Sequence, residues 1–234
     1  MDNGLYQAFD LGITKHTAVN SYGKFVEFYV SRHDKYWNPV VDLLTSRRDH
    51  CLKKSRRWHH WNKTLKKSKR KCSRQIKDFQ HKLSRRIVEN TKVNTIIVGD
   101  LNVKGMAQYA NATNGLNRST QNNGFLGRFV GFLFYKSELA GKRFVEIDES
   151  NTSKRCFACG KLHNMPLWIR VMQCDCGNVI DRDKNSCVNV MVRFLSQFAL
   201  WTGYSQFESN LRNTGLRAPA VGSLLARSLP FMVG

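Results

Sequence analysis

The chain has 234 residues, 41% of them hydrophobic, enough for one sizeable core with a small insert. Its formal net charge is +21 and its pI near 10.0, and a protein so unbalanced repels itself unless a polyanion compensates, so nucleic acid is the expected partner. No apolar run approaches the ~20 residues needed to span a bilayer, and the start MDNGLYQAFD lacks the basic and apolar regions of a signal peptide; no membrane partner and a cytoplasmic location with reduced thiols are expected.

Tyr6 to Ile13 reads as a strand ending in the turn-prone Asp10-Leu11-Gly12. Thr17 to Val30 alternates apolar and polar residues around Tyr22-Gly23, which predicts a hairpin. Leu43 to Asn90 is strongly basic and free of proline and glycine. Within it Leu52, Trp58, Trp61, Leu65, Ile76, Phe79, Leu83 and Ile87 recur at roughly helical spacing, predicting two long helices in a hairpin. Thr95 to Leu101 is a short apolar run typical of a buried parallel strand, and Met106 to Asn123 reads as a loop. Phe125, Phe129, Phe132, Leu133 and Leu139 mark an amphipathic helix closing at Gly141; Phe144 to Ile147 is another strand, and Asn185 to about Leu200 a final helix. Beyond Gly203 the pattern is polar and weak, as in a tail. Strands and helices in this order predict a mixed α/β sheet with flanking helices.

Four of the seven cysteines form two tight pairs, Cys156-Phe157-Ala158-Cys159-Gly160 and Cys174-Asp175-Cys176-Gly177. Two pairs, each followed by glycine and separated by a short loop, suit one structural zinc held by four thiolates, although the second pair has one intervening residue instead of two. Four sulfurs leave no position for a reactive water, so a catalytic zinc is not expected. Cys51, Cys72 and Cys187 lack partner spacing and read as packing or exposed thiols.

Acids are scarce here, so those beside strands stand out. Asp10 interrupts an apolar strand, Asp100 ends another, and Glu146, Asp148 and Glu149 follow a third. Asp181 and Asp183 precede the final helix, where aspartate also serves as an ordinary N-cap. Carboxylates converging from strand ends and a helix start are what two-magnesium phosphodiester hydrolysis needs.

Ala8-Phe9-Asp10-Leu11-Gly12-Ile13 resembles the first RuvC-like motif of TnpB proteins, transposon-encoded relatives of type V CRISPR effectors. Asp78 to Ser84 resembles the helix before their second motif, and Ile97-Val98-Gly99-Asp100-Leu101-Asn102-Val103-Lys104-Gly105-Met106 that second motif. Asn151 to Cys156 is similar to the entry to their zinc ribbon, and Asp181-Arg182-Asp183-Lys184-Asn185-Ser186 to the third motif. The resemblance implies a ribonuclease H-like (RuvC-like) core, with a basic helical hairpin insert and a zinc ribbon, acting as an RNA-guided DNA endonuclease with two Mg²⁺. Its parts would be core at 1–42, hairpin at 43–92, core at 93–150, ribbon at 151–180, final core helix at 181–203 and tail at 204–234. Asp10 would be the first metal ligand and Asp183 the third, preferred to Asp181 because related effectors carry the second aspartate of this motif.

The family usually has glutamate where this chain has Gly99. Some relatives with glycine there carry a glutamate just before the ribbon, which assigns the role to Glu149, with Glu146 as fallback and Asp100 as a lesser candidate. Family members also carry a sizeable guide-binding region before the first motif, whereas that motif here begins almost at Met1. The resemblance therefore implies a fragment, a split gene completed by a separate N-terminal polypeptide, or a reduced relative.

Arg47, Arg48, Lys53, Lys54, Arg56 and Arg57 lead into Lys66, Lys67, Lys69, Arg70 and Lys71, with Trp58 and Trp61 interleaved. Such density on consecutive turns is self-repelling and is relieved by nucleic-acid phosphates, with the aromatics packed beneath or stacked on bases. DNA and a guide RNA are the expected partners. A nuclease-inactive, repressor-like RNA-guided binding protein is the alternative that Gly99 favours, and a transposase is a third reading.

Overall fold

The computed structural model describes residues 4–100, 125–166, 168–198 and 200–217. The predicted loop at Met106–Asn123, the second motif from Leu101 onward and the tail beyond Arg217 lie outside these residues. Contacts divide the chain into two units, Met1–Tyr29 with Asn90–Leu101 and Phe134–Gly234, and Val30–Glu89 with Asn102–Leu133.

The first unit is built on a five-stranded mixed sheet. Strands β1 (Tyr6–Leu11), β2 (Lys15–Asn20) and β3 (Phe25–Tyr29) run antiparallel in sequence. Strand β4 (Thr95–Asp100) lies parallel to β1, and β5 (Arg143–Asp148) parallel to β4, giving the order β3-β2-β1-β4-β5. Central strands β1 and β4 are buried almost throughout, Asp10 and Asp100 being the breaks in that pattern. This is the behaviour of strands covered on both faces, and it explains why they read as continuous apolar runs. Asp100 ends its strand, whereas Asp10 is the penultimate residue of β1, just before the buried Leu11.

Helix α4 (Arg182–Gln197) covers the sheet and buries Cys187, Val188, Val190, Met191, Val192, Phe194 and Leu195 almost completely. Helix α5 (Trp201–Asn213) follows where a tail was predicted. Tyr204, Phe207 and Leu211 form its single apolar stripe and join the same core. The surrounding polar residues dilute that stripe in any window average, so the helix is hidden until its i, i+3, i+7 spacing is counted. Its far end is tied to the hairpin turn, where Asn210 Nδ2 donates to the Ser21 carbonyl at 2.9 Å. Gly23, at φ +72°, takes the left-handed turn there, and a side chain would press on the Asn210 backbone.

The second unit contains helices α1 (His33–Asp49) and α2 (Arg56–Asn90), so helix begins at His33 and not at Leu43. Trp37 packs with Cys72 and Ile76, and Val41 and Leu44 with Leu65 and Trp61, a progression that makes the pair antiparallel. Leu52, predicted on the apolar stripe, lies in the exposed turn between them. Helix α3 (Phe125–Leu139) begins in this unit and ends in the first. Among the described residues no helix is long and apolar enough to cross a membrane.

Candidate metal centre and acid cluster

The acids gather at one end of the sheet. Asp10 sits near the end of β1 opposite Thr17, and Ser186 of α4 donates a hydrogen bond to it at 3.2 Å. Burial, then the charge of Asp183, pushes the Asp10 carboxyl up to about 7 against the opposing Ser186 bond and the charge of Arg182. Glu149 follows β5 directly. Burial, then the charges of Asp10, Asp100 and Asp148, pushes it up to about 8. Asp183 acts electrostatically on Asp10, and Asp10 on Glu149, so the three form one electrostatic group.

Each lesser candidate has a different position. Asp181 is the N-cap of α4, accepting from the Asp183 and Lys184 amides at 2.9 and 3.1 Å, a structural task that leaves Asp183 on the first turn. Glu146 lies exposed on β5 beside Val98. Asp100 is exposed at the end of β4. Asp148 is engaged by Arg193 at 2.9 Å and by Ser150; burial opposes its charge, but these contacts outweigh it and hold its carboxyl below the usual range.

The space beside Gly99 is filled by Glu149. A Cβ on Gly99 would lie 2.9 Å from Glu149 Cβ and 3.2 Å from its Cδ, with Oε2 nearer still. Position 99 therefore has no room for a side chain while Glu149 stands there.

Lys15 stands out only in three dimensions. Its ammonium lies 2.9 Å from Glu27, 3.4 Å from Asp183 and 3.7 Å from Asp181. Burial works against its charge, but these acids outweigh it and hold its pKa above the ordinary lysine value. A lone lysine at the start of a hairpin strand carries no sequence signal for such a role. Asn185 and Asn189, one helical turn apart on α4, are likewise buried. Both donate to the carbonyls of Thr152 and Arg155, and Asn185 accepts from the Phe157 amide, clamping the chain that leads to the cysteines. Their i, i+4 spacing was the available signal.

The four paired cysteines come together. Cys156 and Cys176 sulfurs are 3.8 Å apart, Cys159 and Cys174 3.5 Å, and all four lie within 4.8 Å of one another. Zn–S bonds of ~2.3 Å in a tetrahedron put sulfurs ~3.8 Å apart, so the set could hold a metal such as zinc. Gly160 and Gly177 take φ of +77° and +83° just after each pair, and their amides return to the carbonyls of Cys156 and Cys174. A short hairpin, β6 (Val171–Gln173) with β7 (Val179–Asp181), carries the second pair and runs straight into α4. Among the described residues this is the one such group of His, Cys, Asp and Glu; Asp10, Glu149 and Asp183 do not close to single-ion spacing.

In the helical unit every basic residue singled out above is exposed except the half-buried Arg48, which pairs with Asp49 at 2.7 Å. His59, Lys63, Lys66, Lys67, Arg70 and Lys71 line one shallow groove on α2. Arg47 lies over the Trp61 ring at 5.1 Å and Lys71 over Trp37 at 5.5 Å, so these indoles brace cations from below.

Residues 4–110 match the OrfB_IS605 family model, described as "Probable transposase", and residues 127–190 match the Cas12f1-like, TNB domain. A Streptomyces pristinaespiralis protein named "Putative RNA-guided DNA endonuclease" is 33% identical over 128 residues, 54% of this chain and 30% of that protein. TnpB-like protein L79 of Acanthamoeba polyphaga mimivirus is 31% identical over 140 residues, 58% of this chain and 26% of its own length. The chain thus spans under a third of the length of these relatives. In fold it is similar to a CRISPR-Cas12f ternary complex protein (TM-score 0.59, 17% identity, covering 81% of this chain and 39% of that one). It is also similar to Cas12f1 from a complex with sgRNA and target DNA (TM-score 0.54, 19% identity, 81% and 50%). Matches over the sheet, over the cysteine segment and among curated relatives agree, and in each of these parts the chain is similar to TnpB-type proteins.

Proposed function

We propose that this chain is an RNA-guided DNA endonuclease with a ribonuclease H-like core and a zinc ribbon, whose Asp10, Glu149 and Asp183 hold two Mg²⁺. The sheet order β3-β2-β1-β4-β5, with its antiparallel hairpin and parallel outer strands, supports the core assignment. The observation that carries the nuclease reading is Glu149 standing over Gly99. An acid from the segment after β5 enters the space that a side chain at the end of β4 would take, beside Asp10. The donors suit magnesium: all are carboxylates, and two are pushed toward neutrality by burial and mutual repulsion that a divalent cation would relieve. Two ions ~4 Å apart would be held by acids drawn in from all three positions.

Bound magnesium supplies the charge that activates water and stabilises the leaving oxygen. The chain's own groups do the placing. Ser186 orients Asp10, the Asp181 cap fixes the first turn of α4 beneath Asp183, and Lys15 balances the charge of Asp183. The cysteine-held ribbon is joined to the same helix through Asn185 and Asn189, so both metal sites share one support. The exposed basic helices offer phosphate contacts without base readout, suiting a protein whose specificity comes from guide pairing.

The test is cleavage of target DNA by the chain with its guide RNA and Mg²⁺. Glu149→Gln and Asp183→Asn should each abolish cutting while Glu146→Gln leaves it intact. Retained cleavage in Glu149→Gln would sink the assignment. Guide-dependent DNA binding with no cutting by the unaltered chain would favour the nuclease-inactive reading, for which Gly99 is the one structural argument.

A further inference from the structure

Two acids stand side by side where β5 ends, and Glu149, not Asp148, occupies the space beside Gly99. An arginine of α4 meets this segment. The Arg193 guanidinium donates through Nη1 to the Asp148 carbonyl and, at 2.9 Å, to the Asp148 carboxylate. Through Nη2 it donates to the Ser150 carbonyl at 3.0 Å. One fork therefore holds the main chain on both sides of Glu149 and keeps the neighbouring acid occupied. The Arg193 side chain is 18% exposed and that of Asp148 70%. A cation so largely buried requires partners, and these acceptors supply them.

The far side of Glu149 is pinned to the same helix. Its carbonyl accepts from the Thr152 amide at 3.1 Å and from the Thr152 hydroxyl at 2.9 Å. That hydroxyl lies 3.0 Å from the hydroxyl of Ser186, which bonds Asp10. Asn151 closes the turn at φ +60°, in the left-handed region that asparagine tolerates. Asp148 also accepts from the Ser150 amide at 3.0 Å. Ser186 and Arg193 are two turns apart on α4, so they face the same way. The segment from Asp148 to Thr152 is thus gripped at both ends by one helix face, with Glu149 between the grips.

A carboxylate just past the end of a strand has no ladder of hydrogen bonds to fix its backbone, so its aim depends on what grips the chain on either side. A planar guanidinium can bond two carbonyls and a carboxylate at once, which a single ammonium cannot do. We propose that Arg193 is the positioning residue for Glu149: it holds both flanking carbonyls and engages Asp148, so that Glu149 and not its neighbour joins Asp10 and Asp183. It acts through Glu149 and takes no part in the chemistry itself. This deepens the nuclease reading and rests on it.

The experiment titrates the full chain, without nucleic acid, with Mn²⁺ as a stand-in for magnesium and follows the paramagnetic resonance signal of the free ion. Arg193→Met keeps the buried apolar stem and removes the fork. It should weaken binding about 10- to 100-fold, the usual cost of losing a residue that orients a metal ligand. Arg193→Lys should be nearly as weak, because one ammonium cannot span both carbonyls. Asp148→Asn should stay close to the unaltered chain, because both carbonyl contacts remain. A role in folding alone is separated by a cycle: in a Glu149→Gln background Arg193→Met should cost no further affinity, since the ligand it aims is gone. Unweakened binding in Arg193→Met, full affinity in Arg193→Lys, or equal losses with and without Glu149 overturns the proposal, as does a loss in Asp148→Asn matching that in Glu149→Gln. The two readings fail separately. If Glu149→Gln binds Mn²⁺ as the unaltered chain does, the metal-binding assignment of Glu149 falls with everything built on it. Weakened binding in Glu149→Gln beside full binding in Arg193→Met removes the role of Arg193 alone.

Discussion

Gly99→Ala tests the acid arrangement most directly. The added Cβ would stand 2.9 Å from Glu149 Cβ. That atom is fixed to the backbone, so no side-chain rotation clears the contact, and either β4 or the segment after β5 must move. Overpacking of this kind costs about 1–3 kcal/mol, a fall in Tm of roughly 3–10 °C for a chain of this size. Glu149→Gly removes the opposing atoms, so the double variant should cost less than the two single changes together. Urea unfolding of all four proteins in the cycle should give a coupling energy of about 1–3 kcal/mol. Additivity within about 0.5 kcal/mol would refute the reasoning, since Glu149 would then not stand over position 99. The same pair tests function: Gly99→Glu alone should destabilise the protein, and combined with Glu149→Gly it should recover the cutting that Glu149→Gly removes.

Three further outcomes follow from the same structure. Asp10 and Glu149, raised to about 7 and about 8, keep protons that the unfolded chain has lost, so the stability they lend is full below pH ~4 and decays as pH rises through those values. His16, lowered by burial to about 4, works in the opposite direction but no longer contributes above pH ~6.5. Unfolding free energy without added magnesium should therefore fall by about 2 kcal/mol between pH 6.5 and 8, and magnesium should stabilise more at pH 8; a flat or rising profile contradicts the cluster. Metal analysis should find one zinc per chain, lost with a drop in Tm in Cys159→Ser, because the three-residue strands β6 and β7 have little other support. Phe207→Ala should cost about 3–5 kcal/mol in urea unfolding, since this ring of α5 is 1% exposed in the main core; a loss below ~1 kcal/mol would mean that α5 does not dock.

The sheet was legible because its central strands are covered on both faces and so appear as unbroken apolar runs, while the β2–β3 hairpin alternates around Gly23. The cysteine group was legible because metal sites of this type are assembled from short local pairs, and Gly160 and Gly177 show where each pair turns. Helix α5 was not, because three buried apolar residues in thirteen set no average. The start of α1 at His33 was missed for a similar reason: its first turns bury Asp34 and Trp37 within a polar stretch, and charge density drew the boundary later.

The acid cluster follows another rule. Asp10, Glu149 and Asp183 are separated by long stretches of chain, and what relates them is strand adjacency: β4 lies between β1 and β5, and Gly99 pairs with Ile147 two residues before Glu149. A motif read along one strand records Gly99 as a missing acid. Read across the sheet, glycine is what an acid from the neighbouring segment requires, because Glu149 needs the volume that a side chain at 99 would fill. The absence and the replacement are then one packing fact. Two acids crowded at this point would collide, so the position of the carboxylate can change strand only if both residues change together. That coupling can be measured by the Gly99 and Glu149 double-variant cycle.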